Sequence, residues 1–122
     1  MDVASFRVER SANTGRFELH GELDIAGRSD LIEALQTELA SGGGDVTLDL
    51  SSLSFVDSTG VSALLGIARQ LGPSRHLILE APQPPVARVF DLVQLARMPA
   101  IQIVSAAGEA GSPSGSPGPS DT

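Results

Sequence analysis

Residues 46–71, Val46-Thr-Leu-Asp-Leu-Ser-Ser-Leu-Ser-Phe-Val-Asp-Ser-Thr-Gly-Val-Ser-Ala-Leu-Leu-Gly-Ile-Ala-Arg-Gln-Leu71, decide the fold. The run opens as an apolar strand, breaks at Asp57-Ser58-Thr59-Gly60, and resumes with apolar side chains at Val61, Leu64, Leu65, Ala68 and Leu71. The second spacing is that of an amphipathic helix, ended by Gly72-Pro73. A strand that feeds a helix in this way places two hydroxyls and one carboxylate at the helix N-terminus. The backbone N–H groups there lack intrahelical partners and the dipole is positive. Such an end suits an anion, including a phosphate carried on a serine.

The flanking sequence alternates strands and helices. Phe6-Arg-Val suggests a first strand around residues 3–9, followed by a turn at Ser11-Ala-Asn-Thr-Gly15. Arg16-Phe-Glu-Leu-His-Gly-Glu-Leu23 reads as the hairpin partner, with Phe17 and Leu19 facing inward. Leu31, Leu35 and Leu39 recur every four residues. They predict a helix with Ser29 or Asp30 as its cap and Gly42-Gly-Gly44 as its stop. Val46–Leu50 reads as a buried strand and His76–Glu80 as another. Val86, Val89, Phe90 and Val93 mark a third helix, stopped before Pro99, and Ile101–Val104 a last short strand. The order β-β-α-β-α-β-α-β predicts an α/β domain: one mixed β-sheet, parallel in its βαβ portions, packed with α-helices.

Composition narrows the function. The 122 residues suffice for one domain with a modest core, built from Leu, Val, Ile and Ala because only four Phe and no Tyr or Trp are present. After Ser105 the chain turns to Gly, Ser, Pro and Ala without an apolar anchor, so residues 106–122 are expected to form a disordered tail behind a domain at 1–105. The formal net charge is −7, and all eight basic residues are Arg. An acidic chain with no basic cluster and no stacking aromatics argues against nucleic-acid binding. The lack of Lys excludes a Walker-type phosphate lysine and a Schiff base. The lack of Cys excludes disulfides, thiolate metal sites and thiol catalysis. No signal pattern or long apolar run is present, so a cytoplasmic protein without membrane insertion is expected.

Enzymatic templates fail. Gly60-Val-Ser62-Ala-Leu lacks the second Gly of a nucleophile elbow, and Ser58 has no base partner at identifiable spacing. His20 and His76 fall in separate predicted strands and share no ligand motif, so no metal site is expected. Gly42-Gly-Gly44 follows a helix and reads as a C-cap and turn, not a phosphate cradle. Asp49 and Asp57 are too loosely placed for a paired-carboxylate site. At Asp57-Ser58-Thr59-Gly60 two readings stand. Asp57 or Ser58 can serve as a simple helix cap worth ~1 kcal/mol. Gly60 adds a second consideration, since a glycine so early in a helix gives up ~0.8–1 kcal/mol against Ala. A close backbone approach, by a partner or by the sheet underneath, would explain it.

The segment Leu48-Asp-Leu-Ser-Ser-Leu-Ser-Phe-Val-Asp-Ser-Thr-Gly-Val-Ser-Ala-Leu-Leu65 resembles the signature of STAS domains, specifically the bacterial anti-sigma factor antagonists. Gly21-Glu-Leu-Asp24, followed by a helix, is similar to the family's second recurring segment, and the likeness spans about residues 3–105. The resemblance implies a protein with no catalytic activity and no cofactor. Its unphosphorylated form would bind an anti-sigma factor that is also a serine kinase, releasing the sigma factor. Phosphorylation of the serine directly after the motif's Asp, here Ser58, would disable binding until a PP2C-type phosphatase restores the hydroxyl. Expected partner-binding residues are Asp24, Asp57, Ser58, Thr59 and Gly60. Asp57 would cap the helix or orient Ser58, Thr59 would be mainly structural, and Gly60 would let the partner's backbone come close. The alternative is a STAS accessory subunit of a transport complex, or a small-ligand sensor, with no phosphorylation.

Overall fold

A computed structural model describes residues 6–11, 15–41 and 43–105. The expected tail at 106–122, the start of the first predicted strand, most of the first turn and Gly42 lie outside the described residues. Five strands form one sheet in the order β1-β2-β3-β4-β5: β1 Arg7–Arg10, β2 Arg16–Leu23, β3 Val46–Val56, β4 Leu77–Glu80 and β5 Ile101–Val104. β1 is antiparallel to β2, and β2 through β5 run parallel. The connecting helices are α1 Ile25–Ser41, α2 Ser58–Leu71 and α3 Pro84–Leu92, with a single 3₁₀ turn at Leu95–Arg97. The mixed sheet and the alternation of elements agree with the sequence reading.

Three boundaries move. α1 begins at Ile25 and is capped by Asp24, whose Oδ1 accepts from the N–H groups of Ala26 at 3.0 Å and Gly27 at 3.3 Å. Ser29 and Asp30, the expected caps, therefore sit inside the helix. The apolar stripe of Leu31, Leu35 and Leu39 does continue one turn back, but the position there is Gly27. A Cβ on Gly27 would come within 2.7 Å of the Phe6 ring, so this glycine lets the start of the hairpin lie on α1. β3 runs to Val56, six residues beyond Leu50. The β2–β3 pairing shifts register between Glu18 and His20 and again between Gly21 and Glu22, so Ser51-Ser52 interrupt the buried-exposed alternation. β1 spans residues 7–10.

The buried strand residues Phe17, Leu19, Leu48, Leu50, Leu77, Leu79 and Ile101 belong to one cluster with Leu31, Leu35, Leu64, Ile67, Val86 and Phe90 of the helices. Alternate strand positions carry polar groups on the other face. There Arg16 bridges Asp49, at 3.5 Å, and Glu80. Asp49 also accepts from the N–H of Ser51 at 3.0 Å and from its hydroxyl at 2.7 Å. Partial burial works against the Asp49 charge, but these bonds and the nearby Arg16 and His20 outweigh it and hold the carboxyl below its ordinary value.

The C-terminal end of α1 is closed by a residue far away in sequence. Arg75 is buried just before β4 and donates to the carbonyls of Glu38 at 2.8 Å, Leu39 at 3.4 Å and Gly44 at 2.9 Å. It satisfies carbonyls that the helix end leaves open, at the pole where a cation is favoured.

Two outcomes are expected. Arg75→Ala removes a charged donor from three buried or part-buried carbonyls and should lower the unfolding free energy in urea by about 2 kcal/mol. Arg88→Ala, an exposed control on α3, should stay within about 0.5 kcal/mol. Because the folded Asp49 carboxyl titrates below its unfolded value, its stabilisation is present above about pH 4 and is lost as pH falls through the folded value. The stability gap between the native chain and Asp49→Asn should therefore close on acidification below about pH 4; a gap that widened would contradict the ion-pair account.

Candidate functional site

The carboxyl ends of β2 and β3 place two helix starts side by side. Leu23 pairs with Val56 in the parallel register, and the Asp57 N–H donates to the Leu23 carbonyl at 3.2 Å. The chain leaves β2 through Asp24 into α1 and leaves β3 through Asp57 into α2. Each carboxylate is spent locally. Asp24 caps α1 as described, and Asp57 Oδ1 accepts from the Gly60 N–H at 2.9 Å, with the Val61 N–H donating to the Asp57 carbonyl at 2.9 Å. Val56 and Val61, on either side of the cap, are both buried in the positions of a hydrophobic staple. Strand, cap and first turn are thus held as one rigid corner.

Ser58 is the first residue of α2 and is exposed, whereas Thr59 is half-buried. The cap takes up the third N–H of the helix, so those of Ser58 and Thr59 stand at the open, positive end. An oxyanion attached to Ser58 would meet these donors. It would also stand beside the adjoining Asp57, with Asp24 capping the neighbouring helix start. Asp57 therefore acts as a helix cap, one of the two roles expected for it, and Asp24 is a cap as well, a role the sequence reading did not assign.

Gly60 is buried, and the reason for it lies beneath the helix. A Cβ there would come within 2.6 Å of the Leu23 carbonyl oxygen and of Val56 Cγ2. Of the two close approaches the sequence allowed, by a partner or by the sheet underneath, the one seen is that of the sheet. The glycine lets the first turn of α2 sit down on β2.

Two exposed apolar side chains flank the same end and were missed from the sequence: Ile25, 74% exposed at the first position of α1, and Phe55, 44% exposed, two residues before Asp57. The available signal was a large apolar residue within two positions of each Asp cap. His20 also departs from expectation. Its Nε2 lies 3.6 Å from Glu9 Oε1 and 3.5 Å from Glu18 Oε1 on the polar face of the hairpin, so it does meet two further metal-ligating groups. His76 stands apart beside Asp45, with its Nδ1 3.4 Å from Asp45 Oδ1. Among the described residues no helix is long and apolar enough to cross a membrane.

The corner predicts a graded mutational response. Gly60→Ala drives a methyl into the Leu23 backbone and should destabilise by about 1–3 kcal/mol net, the overpacking outweighing the ~0.8–1 kcal/mol of helix propensity that Ala brings. Asp57→Ala should cost about 1 kcal/mol as a lost cap. Ser58→Ala should be nearly silent in the same urea titration; equal losses at all three positions would refute this geometry.

Comparison with known proteins agrees with the architecture. The family model described as "Mlab, STAS domain" matches residues 6–104. An anti-sigma-B factor antagonist of Staphylococcus epidermidis is 30% identical over 76 residues, covering 62% of this chain and 70% of the relative. The solved anti-sigma factor antagonist SpoIIAA in its unphosphorylated form superposes with a TM-score of 0.63 at 26% identity, covering 85% of this chain and 91% of that one. The Bacillus cell fate determinant SpoIIAA in its phosphorylated form gives a TM-score of 0.58 at 26% identity, over 85% and 95% of the two chains. With a family model matching residues 6–104, nearly all the described residues, this chain belongs to the STAS domain family.

Proposed function

We propose that this domain is an anti-sigma factor antagonist switched by phosphorylation of Ser58. The observation that carries the reading is the placement of Ser58: exposed, at the first position of α2, on a corner whose neighbouring carboxylates already serve as caps. The unphosphorylated surface at Asp24, Asp57, Ser58 and Thr59 binds an anti-sigma factor that is also a serine kinase, and the sigma factor is released. Gly60 contributes by shaping this surface from below. The domain itself catalyses no reaction. The kinase transfers a phosphoryl group to the Ser58 hydroxyl, and a PP2C-type phosphatase removes it. Support comes from the likeness to antagonists and from a solved relative that exists in unphosphorylated and phosphorylated forms.

The physical chemistry of the corner suits a switch that acts at the interface and leaves the fold intact. A phosphate on Ser58 adds about −1.5 to −2 charges and three acceptor oxygens. In the free domain the open N–H groups of α2 receive it, a favourable contribution of ~0.3–1 kcal/mol. In a complex the same group must lose its water beside Asp57 and Asp24. Like charges brought together in an interface cost several kcal/mol, which shifts affinity by orders of magnitude.

Incubation with the cognate kinase and ATP should add one phosphate, mapped by mass spectrometry to Ser58 and absent in Ser58→Ala. Calorimetry should show Ser58→Ala binding the kinase about as the native chain does and Ser58→Glu binding at least about tenfold more weakly. Equal affinities for the two variants would refute the electrostatic account. Recovery of an ABC-transporter ATPase from lysate in place of such a kinase would select the accessory-subunit reading.

A further inference from the structure

The polar face of the β1–β2 hairpin holds an arrangement that sheet pairing alone does not favour. Glu9 and Glu18 are direct cross-strand partners, and Arg7 is the partner of His20. Two carboxylates placed opposite one another across a strand pair repel, so a cation between them is needed to offset the contact. Arg7 supplies only part of this. Its Nε donates to Glu9 Oε2 at 2.7 Å, which leaves Glu9 Oε1 turned toward His20.

The imidazole completes the set. His20 Nε2 is sealed from solvent and has no hydrogen-bond partner among the described residues. Its separations from Glu9 Oε1, 3.6 Å, and Glu18 Oε1, 3.5 Å, are too long for hydrogen bonds. They do match the edges of a coordination polyhedron, because ligands held at ~2.0–2.1 Å around a tetrahedral ion stand ~3.4 Å apart. One ligand atom from each of the three residues lies within 4.8 Å of the others. An orphaned nitrogen with a carboxylate oxygen at coordination spacing on either side forms the protein side of a three-ligand site.

The geometry points to a divalent transition-metal site, of the Zn²⁺ type, formed by Glu9 and Glu18 carboxylates and His20 Nε2 on the solvent-facing side of the sheet. Arg7 acts as the outer-shell group that orients Glu9, leaving one oxygen free for the ion. The ion neutralises the Glu9–Glu18 repulsion and ties β1 to β2, the strand that carries Asp24 at its end. The site is independent of the Ser58 corner. With no Cys in the chain, few background ligands compete, and His76 beside Asp45 is the natural control.

Calorimetric titration of the full chain with ZnCl₂ at neutral pH should show one ion bound per chain and a raised Tm at saturation. His20→Ala and Glu18→Gln, each checked for native circular dichroism, should weaken binding at least about tenfold and abolish the Tm increase, and Arg7→Ala should weaken it by about tenfold as an outer-shell loss. His76→Ala should bind like the native chain. Absence of binding to the native chain overturns the proposal. So does binding that persists in both His20→Ala and Glu18→Gln, or binding lost in His76→Ala.

Discussion

The parallel pairing of β2 with β3 at Leu23 and Val56 is the constraint on which the functional end of this domain depends. The hydrogen bond from the Asp57 N–H to the Leu23 carbonyl ends the sheet and starts α2 in a single step. Gly60 then rests on that same carbonyl, with no room for a side chain between them. Because the strands are level at this point, the two Asp caps are level too, and two positive helix ends open onto one surface. The chemistry of the proposed interface follows from strand register.

Such a corner explains how a modification can act without refolding. The caps and the staple tie down the backbone beneath Ser58, and the side chains under the helix start are buried. The proposed phosphate would therefore change only the charge and bulk presented outward. A switch of this kind needs a partner that comes close enough to desolvate the serine, and the exposed Ile25 and Phe55 give that end the apolar character of a contact surface. The other face of the sheet is built on different principles. There charged groups meet across strands, with Arg16 serving Asp49 and Glu80, and with Glu9, Glu18 and His20 left to share a gap.

The elements with strong periodicity were legible. α2 is read from Val61, Leu64, Ala68 and Leu71 because a helix at the sheet surface must bury one stripe, and the strands around it because their inward positions alternate. The start of α1 was not legible, since Gly27 occupies the stripe position and looks like a breaker; only its contact with Phe6 shows that it is a packing residue. The same limit hid the extra length of β3, whose serines break the alternation where the register shifts. Arg75 illustrates a further limit: nothing local marks it as the residue that closes α1, 36 and 37 positions earlier in the chain at Leu39 and Glu38, because carbonyls of a helix end carry no sequence signal.

By itself the sequence determined the order of elements, the α/β class and the location of the hydroxyl-bearing helix start, where the STAS resemblance, and not the local pattern, singled out Ser58. These are local properties, written in periodicity, capping residues and composition. Tertiary structure decided which groups share that surface and which do not. It assigned Gly60 to the sheet, made Asp24 a cap, and brought His20 to Glu9 and Glu18, because register and strand pairing bring together residues that are separate in the chain.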